Sequence, residues 1–178
     1  YMTELLGAAV VAGAFLASSR RWFSLFGNVG GGFITDKVGT GRMLLISFLV
    51  MAAGVVAIMM LPLDPSSTTI FVILYIIIYI FYNVNYAMTW AMMDEGAIPE
   101  RLSGSAAGII STIGYLPEIF CSLLAGNWLE NDPGVGGYRT IFTFLTVMLL
   151  IGAVFVLIWM KYLQKIRKKQ AEIESKEA

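Results

Sequence analysis

Five long apolar stretches, separated by short polar or glycine- and proline-containing breaks, dominate the hydrophobic pattern of the chain. Most reach roughly twenty residues, the length at which a helix crosses the ~30 Å hydrocarbon core of a bilayer. The short alternating segments of a transmembrane β-barrel look different. The pattern predicts an all-α membrane protein whose helices span about Leu5–Thr35, Met43–Leu61, Ile70–Met93, Ser105–Asn127 and Thr140–Leu163.

Helical periodicity divides the first, third and fourth predicted helices into a polar and an apolar side. The polar side is small and basic in the first helix, rich in tyrosine in the third, and acidic in the fourth. The second and fifth helices are apolar nearly all round, which predicts peripheral helices wrapped in lipid. The polar sides carry the candidate binding residues Arg20, Arg21, Asn28, Tyr75, Tyr79, Tyr82, Asn83, Tyr86, Tyr115 and Glu118.

Glycines and charges within the predicted spans have different explanations. The pairs Gly27/Gly31 and Gly104/Gly108 are typical of helices that approach each other closely in lipid. Arg20, Arg21 and Glu118 lie near mid-span, where a charge costs at least ~3 kcal/mol and usually faces a polar cavity. The alternative is a structural ion pair between an arginine and Glu118 that holds the bundle together.

The distribution of lysine and arginine predicts the orientation of the chain. By the positive-inside rule, the side with most cations is cytoplasmic, so the charged tail, residues 164–178, is expected inside the cell. That side carries Lys37, Arg42, Arg101, Lys161, Lys165, Arg167, Lys168, Lys169 and Lys176, and the other side carries Arg139.

The amino-acid composition argues against several classes of function. The chain is 58% hydrophobic, has zero net charge, no histidine and a single cysteine. These features argue against nucleic-acid binding, a Cys/His metal site and histidine-based catalysis, so we expect neither an enzyme nor a cofactor. The chain opens on Tyr1, which favours a fragment of a larger protein.

A glycine-rich turn between the first two helices carries Gly32, Asp36, Lys37, Gly39 and Arg42 in order, with Thr40 and Gly41 before the arginine. These residues resemble the loop signature of the major facilitator superfamily, Gly-x-x-x-Asp-Arg/Lys-x-Gly-x-Arg/Lys. Asp36 is expected to cap a helix N-terminus there. The segments 98–104 and 114–120 also resemble the region of the tenth and eleventh helices in bacterial members near the sugar-phosphate and nitrate branches.

The resemblance implies a partial fold, five of the six helices of one half of such a transporter, numbered eight to twelve. It further implies a partner, the N-terminal half, and a place in the bacterial inner membrane with the C-terminus in the cytoplasm. Its eighth, tenth and eleventh helices line the central cavity. The five matching residues of the turn would act as a cytoplasmic gate.

The leading hypothesis is a secondary active transporter that moves a small anionic organic solute, an organophosphate or carboxylate, by alternating access. Arg20 or Arg21 would bind the anion, the tyrosines and Asn83 would supply hydrogen bonds and stacking, and Glu118 would carry a coupling proton. Two alternatives stay open: a channel or pore-forming subunit, and a transporter of a neutral solute in which the Arg–Glu pair is structural.

Overall fold

The computed structural model describes residues 1, 3–7, 10–96 and 98–177. Five α-helices and no strand occur in these ranges, which confirms the all-α fold class. The helices are α1 (Val10–Val38), α2 (Thr40–Met59), α3 (Thr68–Glu95), α4 (Glu100–Asn131) and α5 (Val135–Glu177), with a short 3₁₀ turn, Pro65–Ser67, before α3.

Within these described ranges, four segments are long and apolar enough to cross a membrane: Thr40–Met59, Pro65–Met93, Arg101–Asn131 and Val135–Ile166. The 29 residues of α1 are also sufficient in length, but its charges and glycines lower its hydropathy, so its crossing stays a prediction. With 43 residues, α5 is about 65 Å long. It continues as a helix through the charged residues 164–177, which we predicted as a cytoplasmic tail.

The helices pack in the spatial order α1, α3, α2, α5, α4. Since α2 packs against both α3 and α5, and Leu44 and Ser47 are almost wholly buried, the expectation that α2 is a peripheral helix wrapped in lipid is wrong. The reason is that an apolar surface packs as well against helices as against lipid. At Gly54 of α2, the absence of a side chain allows Ile78 of α3 to pack closely against the helix. By contrast, α5 keeps a broad exposed apolar face that includes Phe155.

The turn between α1 and α2 consists of one residue, Gly39, with φ 90° and ψ 142°. Only glycine adopts this backbone conformation readily, because a Cβ would be strained there. The expectation that Asp36 caps a helix N-terminus is wrong, because it lies in the last turn of α1 and Gly39 is the N-cap of α2 without a side-chain cap. This geometry places the two helices in tight succession.

The turn before α3 is fixed by a side-chain cap. Asp64 accepts a hydrogen bond from the backbone N–H of Ser66 at 2.8 Å and another from the Ser66 hydroxyl. The hydroxyl contact is the main reason that the pKa of the Asp64 carboxyl is lowered from its ordinary value. The cap fixes the 3₁₀ turn that leads into α3, the helix that carries the tyrosines.

The two glycine pairs, Gly27/Gly31 and Gly104/Gly108, differ in how closely other side chains approach them. A Cβ built on Gly27 or Gly31 of α1 would lie within 2.8 Å of side chains of α3, whereas Gly104 and Gly108 of α4 have nothing within 4 Å. Close packing is confirmed for the first pair only. Within the part of the chain that the structure describes, α1 is therefore held to α3 by backbone approach, and α4 is much more loosely surrounded.

Candidate functional site

A ladder of stacked aromatic rings runs along one face of α3. The ring centroids of Phe71 and Tyr75 are 6.4 Å apart, those of Tyr75 and Tyr79 6.2 Å, and those of Tyr79 and Tyr82 6.1 Å. The spacing follows from the sequence, because residues three and four apart lie on one side of a helix. The rings form a continuous aromatic row along α3.

The Arg20 side chain of α1 lies against this ladder. Its guanidinium carbon is 5.3 Å from the centroid of the Tyr79 ring, a cation–π distance. Arg20 remains exposed, so its donors are accessible to a ligand. Arg21 and Asn28 are also exposed. Because successive residues of an α-helix are separated by 100°, Arg21 lies on a different side of α1 from Arg20. The structure therefore brings Arg20 to the tyrosines.

A cleft of about 440 Å³ lies between α3 and α4. Across it the hydroxyls of Tyr86 and Tyr115 are 3.1 Å apart and share a hydrogen bond. The cleft combines aromatic rings, neutral hydrogen-bonding groups and one carboxylate, so it suits a small solute. Its lining is formed by Tyr82, Asn85, Tyr86, Thr89, Trp90, Ile110, Ser111, Gly114, Tyr115, Pro117, Glu118 and Cys121.

Glu118 is the one charged residue that lines the cleft among the side chains that the structure describes. It follows Pro117, which lies inside α4 and cannot donate a backbone hydrogen bond. No salt bridge within 4.0 Å joins Glu118 to Arg20 or Arg21 in the described ranges. The structural ion pair that we held open as an alternative is therefore not formed here.

Asn83 has a different environment from the tyrosines beside it. It is 7% exposed, its side-chain amide donates to the Tyr79 carbonyl at 2.7 Å, and its Cβ faces Gly27 of α1. The structure thus places it in the packing between α1 and α3, while its role in binding stays a prediction. Tyr75 is half-buried, and Tyr82 and Tyr86 are exposed.

Sequence reasoning missed two polar residues that α3 contributes to the cleft, Asn85 and Thr89. Thr89 lies three residues after Tyr86 and seven after Tyr82, so helical periodicity already placed it beside them. Asn85 lies at the edge of the same arc. The spacing of the tyrosines on α3 could therefore have predicted that Asn85 and Thr89 lie on the same side of the helix.

The residues of the signature turn lie at the end of the bundle where α1 meets α2. Asp36, Lys37 and Arg42 are exposed, and a Cβ on Gly32 would meet nothing within 4 Å. Gly39 and Arg42 line a second cavity of about 240 Å³ together with Glu95 at the end of α3 and Gln164 of α5. The turn thus brings a cation and a carboxylate to one cavity.

Comparison with known proteins gives one family and two relatives. A family model described as Major Facilitator Superfamily matches residues 1–178. The proteins named Inner membrane protein YihN and Inner membrane protein YqcE, both of Escherichia coli (strain K12), are each 27% identical to the chain. The alignments cover 96% and 94% of the chain but 41% and 40% of the relatives, so the chain spans about two fifths of their length. No solved structure matches it.

Proposed function

Because the chain belongs to the major facilitator superfamily, we propose that it forms part of a secondary transporter that moves a small anionic organic solute by alternating access. The observation that carries this proposal is the guanidinium of Arg20, which lies 5.3 Å from the Tyr79 ring and keeps exposed donors. A planar guanidinium binds a carboxylate or phosphate through two parallel hydrogen bonds. Its position on the aromatic ladder would orient such an anion.

The chain corresponds, in this proposal, to helices eight to twelve of the C-terminal half. It lies in the bacterial inner membrane with its C-terminus in the cytoplasm. The names of its two relatives support the location, and the excess of cations on one side supports the orientation. The N-terminal half of the same protein would supply the opposite wall of the pathway, and rocking of the two halves would expose the site to either side.

The signature turn would serve as the cytoplasmic gate of this transporter. Arg42 and Glu95 line one cavity at that end, and charges of opposite sign that line one cavity can form or break a pair when the helices move. Gly39 keeps α1 and α2 in succession, so motion of one helix is passed to the other. The gate cavity and the aromatic ladder are linked through α3, which carries the ladder and ends in Glu95 at the cavity.

Counterflow distinguishes this transporter from a channel. The complete protein, reconstituted in liposomes loaded with unlabelled organic anions, should accumulate the labelled anion transiently and with saturation. A transporter exchanges one bound solute for another, whereas a pore only lets the label equilibrate. Flux that rises linearly with concentration and shows no overshoot would support the channel instead.

Glu118 is the proposed carrier of the coupled proton. Replacing Glu118 with glutamine should reduce the number of protons exchanged per cargo molecule to near zero, because the amide cannot bind or release a proton. The measurement is the ratio of protons moved to cargo moved in liposomes, in either direction, which is independent of how fast the variant turns over. Glu130 of α4, an exposed carboxylate outside the cleft, provides the matched control when changed to glutamine. An unchanged ratio in Glu118→Gln would remove this role.

A further inference from the structure

The cleft between α3 and α4 has the composition of a site for a positively charged nitrogen. Four aromatic residues line it, and the faces of such rings attract cations. Glu118 adds a negative charge, and among the described side chains no lysine or arginine lines the cleft. An anion would therefore find no counter-charge in the cleft itself. The four aromatic residues are Tyr82, Tyr86, Trp90 and Tyr115.

Arg20 lies outside this cleft but on the same aromatic ladder. Its guanidinium contacts the Tyr79 ring, and the Tyr82 ring, which lines the cleft, is 6.1 Å further along. A basic group and an acidic group therefore flank one row of rings. They are joined by no salt bridge within 4.0 Å in the part of the chain that the structure describes.

Two charges of opposite sign that are unpaired among the described residues are costly on helices that cross the membrane, as we predict for α1 and as the length and hydropathy of α4 allow, unless something else neutralises them. A simple anion neutralises Arg20 and leaves Glu118 unmatched, and a simple cation does the reverse. A solute that carries both charges matches both groups at once, and its ammonium end also gains the cation–π attraction of the rings.

We propose that the cargo is a zwitterion, a carboxylic acid with a substituted ammonium group, whose carboxylate binds Arg20 and whose ammonium group enters the α3/α4 cleft beside Glu118. This inference rests on the proposed transport function and specifies its substrate class. Selectivity follows from the geometry, because the acidic cleft repels a second negative charge and its rings contribute more to a cation than to a neutral group of the same shape.

Cys121 provides a direct test, because it lines the cleft and is half-buried. The complete transporter is treated with a maleimide, and the peptide that contains Cys121 is quantified by mass spectrometry. The probes are the trimethylammonium derivatives of acetate and of butyrate, each compared with the tert-butyl acid of the same length, in which carbon replaces the nitrogen. At least one ammonium acid should protect Cys121 at a concentration about tenfold lower than its tert-butyl analogue.

Two variants test whether the preference for ammonium acids over tert-butyl acids arises in the cleft. Glu118→Gln should reduce the preference for the ammonium acid to about twofold or less, since it removes the counter-charge. Glu130→Gln, which alters an exposed carboxylate on the same helix, should retain it. Retention of the full preference in Glu118→Gln contradicts the assignment.

Comparing the ammonium acids with the tert-butyl acids in the unmodified protein tests the proposal, whether or not a variant folds. Equal protection by ammonium and tert-butyl acids, or protection by neither, overturns the zwitterion. Counterflow judges the transport proposal separately. Saturable exchange of simple anions without ammonium preference leaves the transporter standing and rejects this inference. Ammonium-selective protection with no counterflow of either the simple anions or the ammonium acids supports the cleft and rejects transport.

Discussion

Replacing Arg20 with alanine should weaken binding of the cargo to the complete transporter by about a hundredfold, because it removes the partner of a desolvated charge. A loss of this size corresponds to about 3 kcal/mol, within the range for a charged hydrogen-bonded pair. Arg20→Lys should recover only part of the loss, because an ammonium lacks the planar fork of guanidinium. The measurement is the half-saturation concentration for counterflow in liposomes.

Arg21 is the matched control for this experiment. It carries the same charge, is the next residue in α1 and is exposed, but Arg20 is the residue that contacts the aromatic ladder. Arg21→Ala should change the half-saturation concentration by less than about threefold, since an exposed charge away from the bound anion is largely screened by solvent and salt. Normal affinity in both alanine variants would end the anion-site hypothesis, and a loss in Arg21→Ala alone would move the site to the neighbouring residue.

Much of the aromatic ladder was predictable from spacing alone. Residues 75, 79 and 82 recur at intervals of four and three, and the helical repeat then places them on one face whatever the rest of the fold does. The structure stacks these rings with centroids about 6 Å apart. Local periodicity is decisive here because neighbouring side chains on one helix meet without any tertiary contact.

The packing partners of a helix were not predictable in the same way. Every face of α2 is apolar, and an apolar face has the same composition whether it packs against lipid or against another helix. The burial of Ser47 and the approach of Ile78 to Gly54 depend on where α3 and α5 lie. These positions are set by contacts between residues far apart in the chain.

The environment of Asn83 also could not be predicted from the sequence pattern of its own helix. Periodicity places it close to Tyr79 and Tyr82, which favoured a binding role. In the structure it donates to the Tyr79 carbonyl and faces Gly27, because α1 approaches α3 on that side. The likewise unformed Arg–Glu pair depends on the distance between α1 and α4, which a sequence pattern on either helix does not contain.

The contact between α1 and α3 gives the second prediction with a large effect. A Cβ on Gly27 would lie 2.8 Å from the Cβ of Asn83 and 2.9 Å from the Ile80 carbonyl oxygen. Neither atom can move aside by a simple rotation, because one is next to the backbone and the other belongs to it. Gly27→Ala should therefore push the helices apart, lowering the free energy of unfolding by about 1–3 kcal/mol and displacing Arg20 from the ladder.

Gly30 supplies the control for Gly27, because it lies one turn further along the same helix and a Cβ there would meet nothing within 4 Å. Gly30→Ala should leave the stability unchanged or raise it by up to about 1 kcal/mol, since alanine favours a helix over glycine. The measurement is the thermal unfolding midpoint of the complete protein in detergent, together with cargo affinity. Because α1 presents Arg20 through this contact, Gly27→Ala should lower both quantities. Equal midpoints for the two alanine variants would mean that α1 does not approach α3 at Gly27.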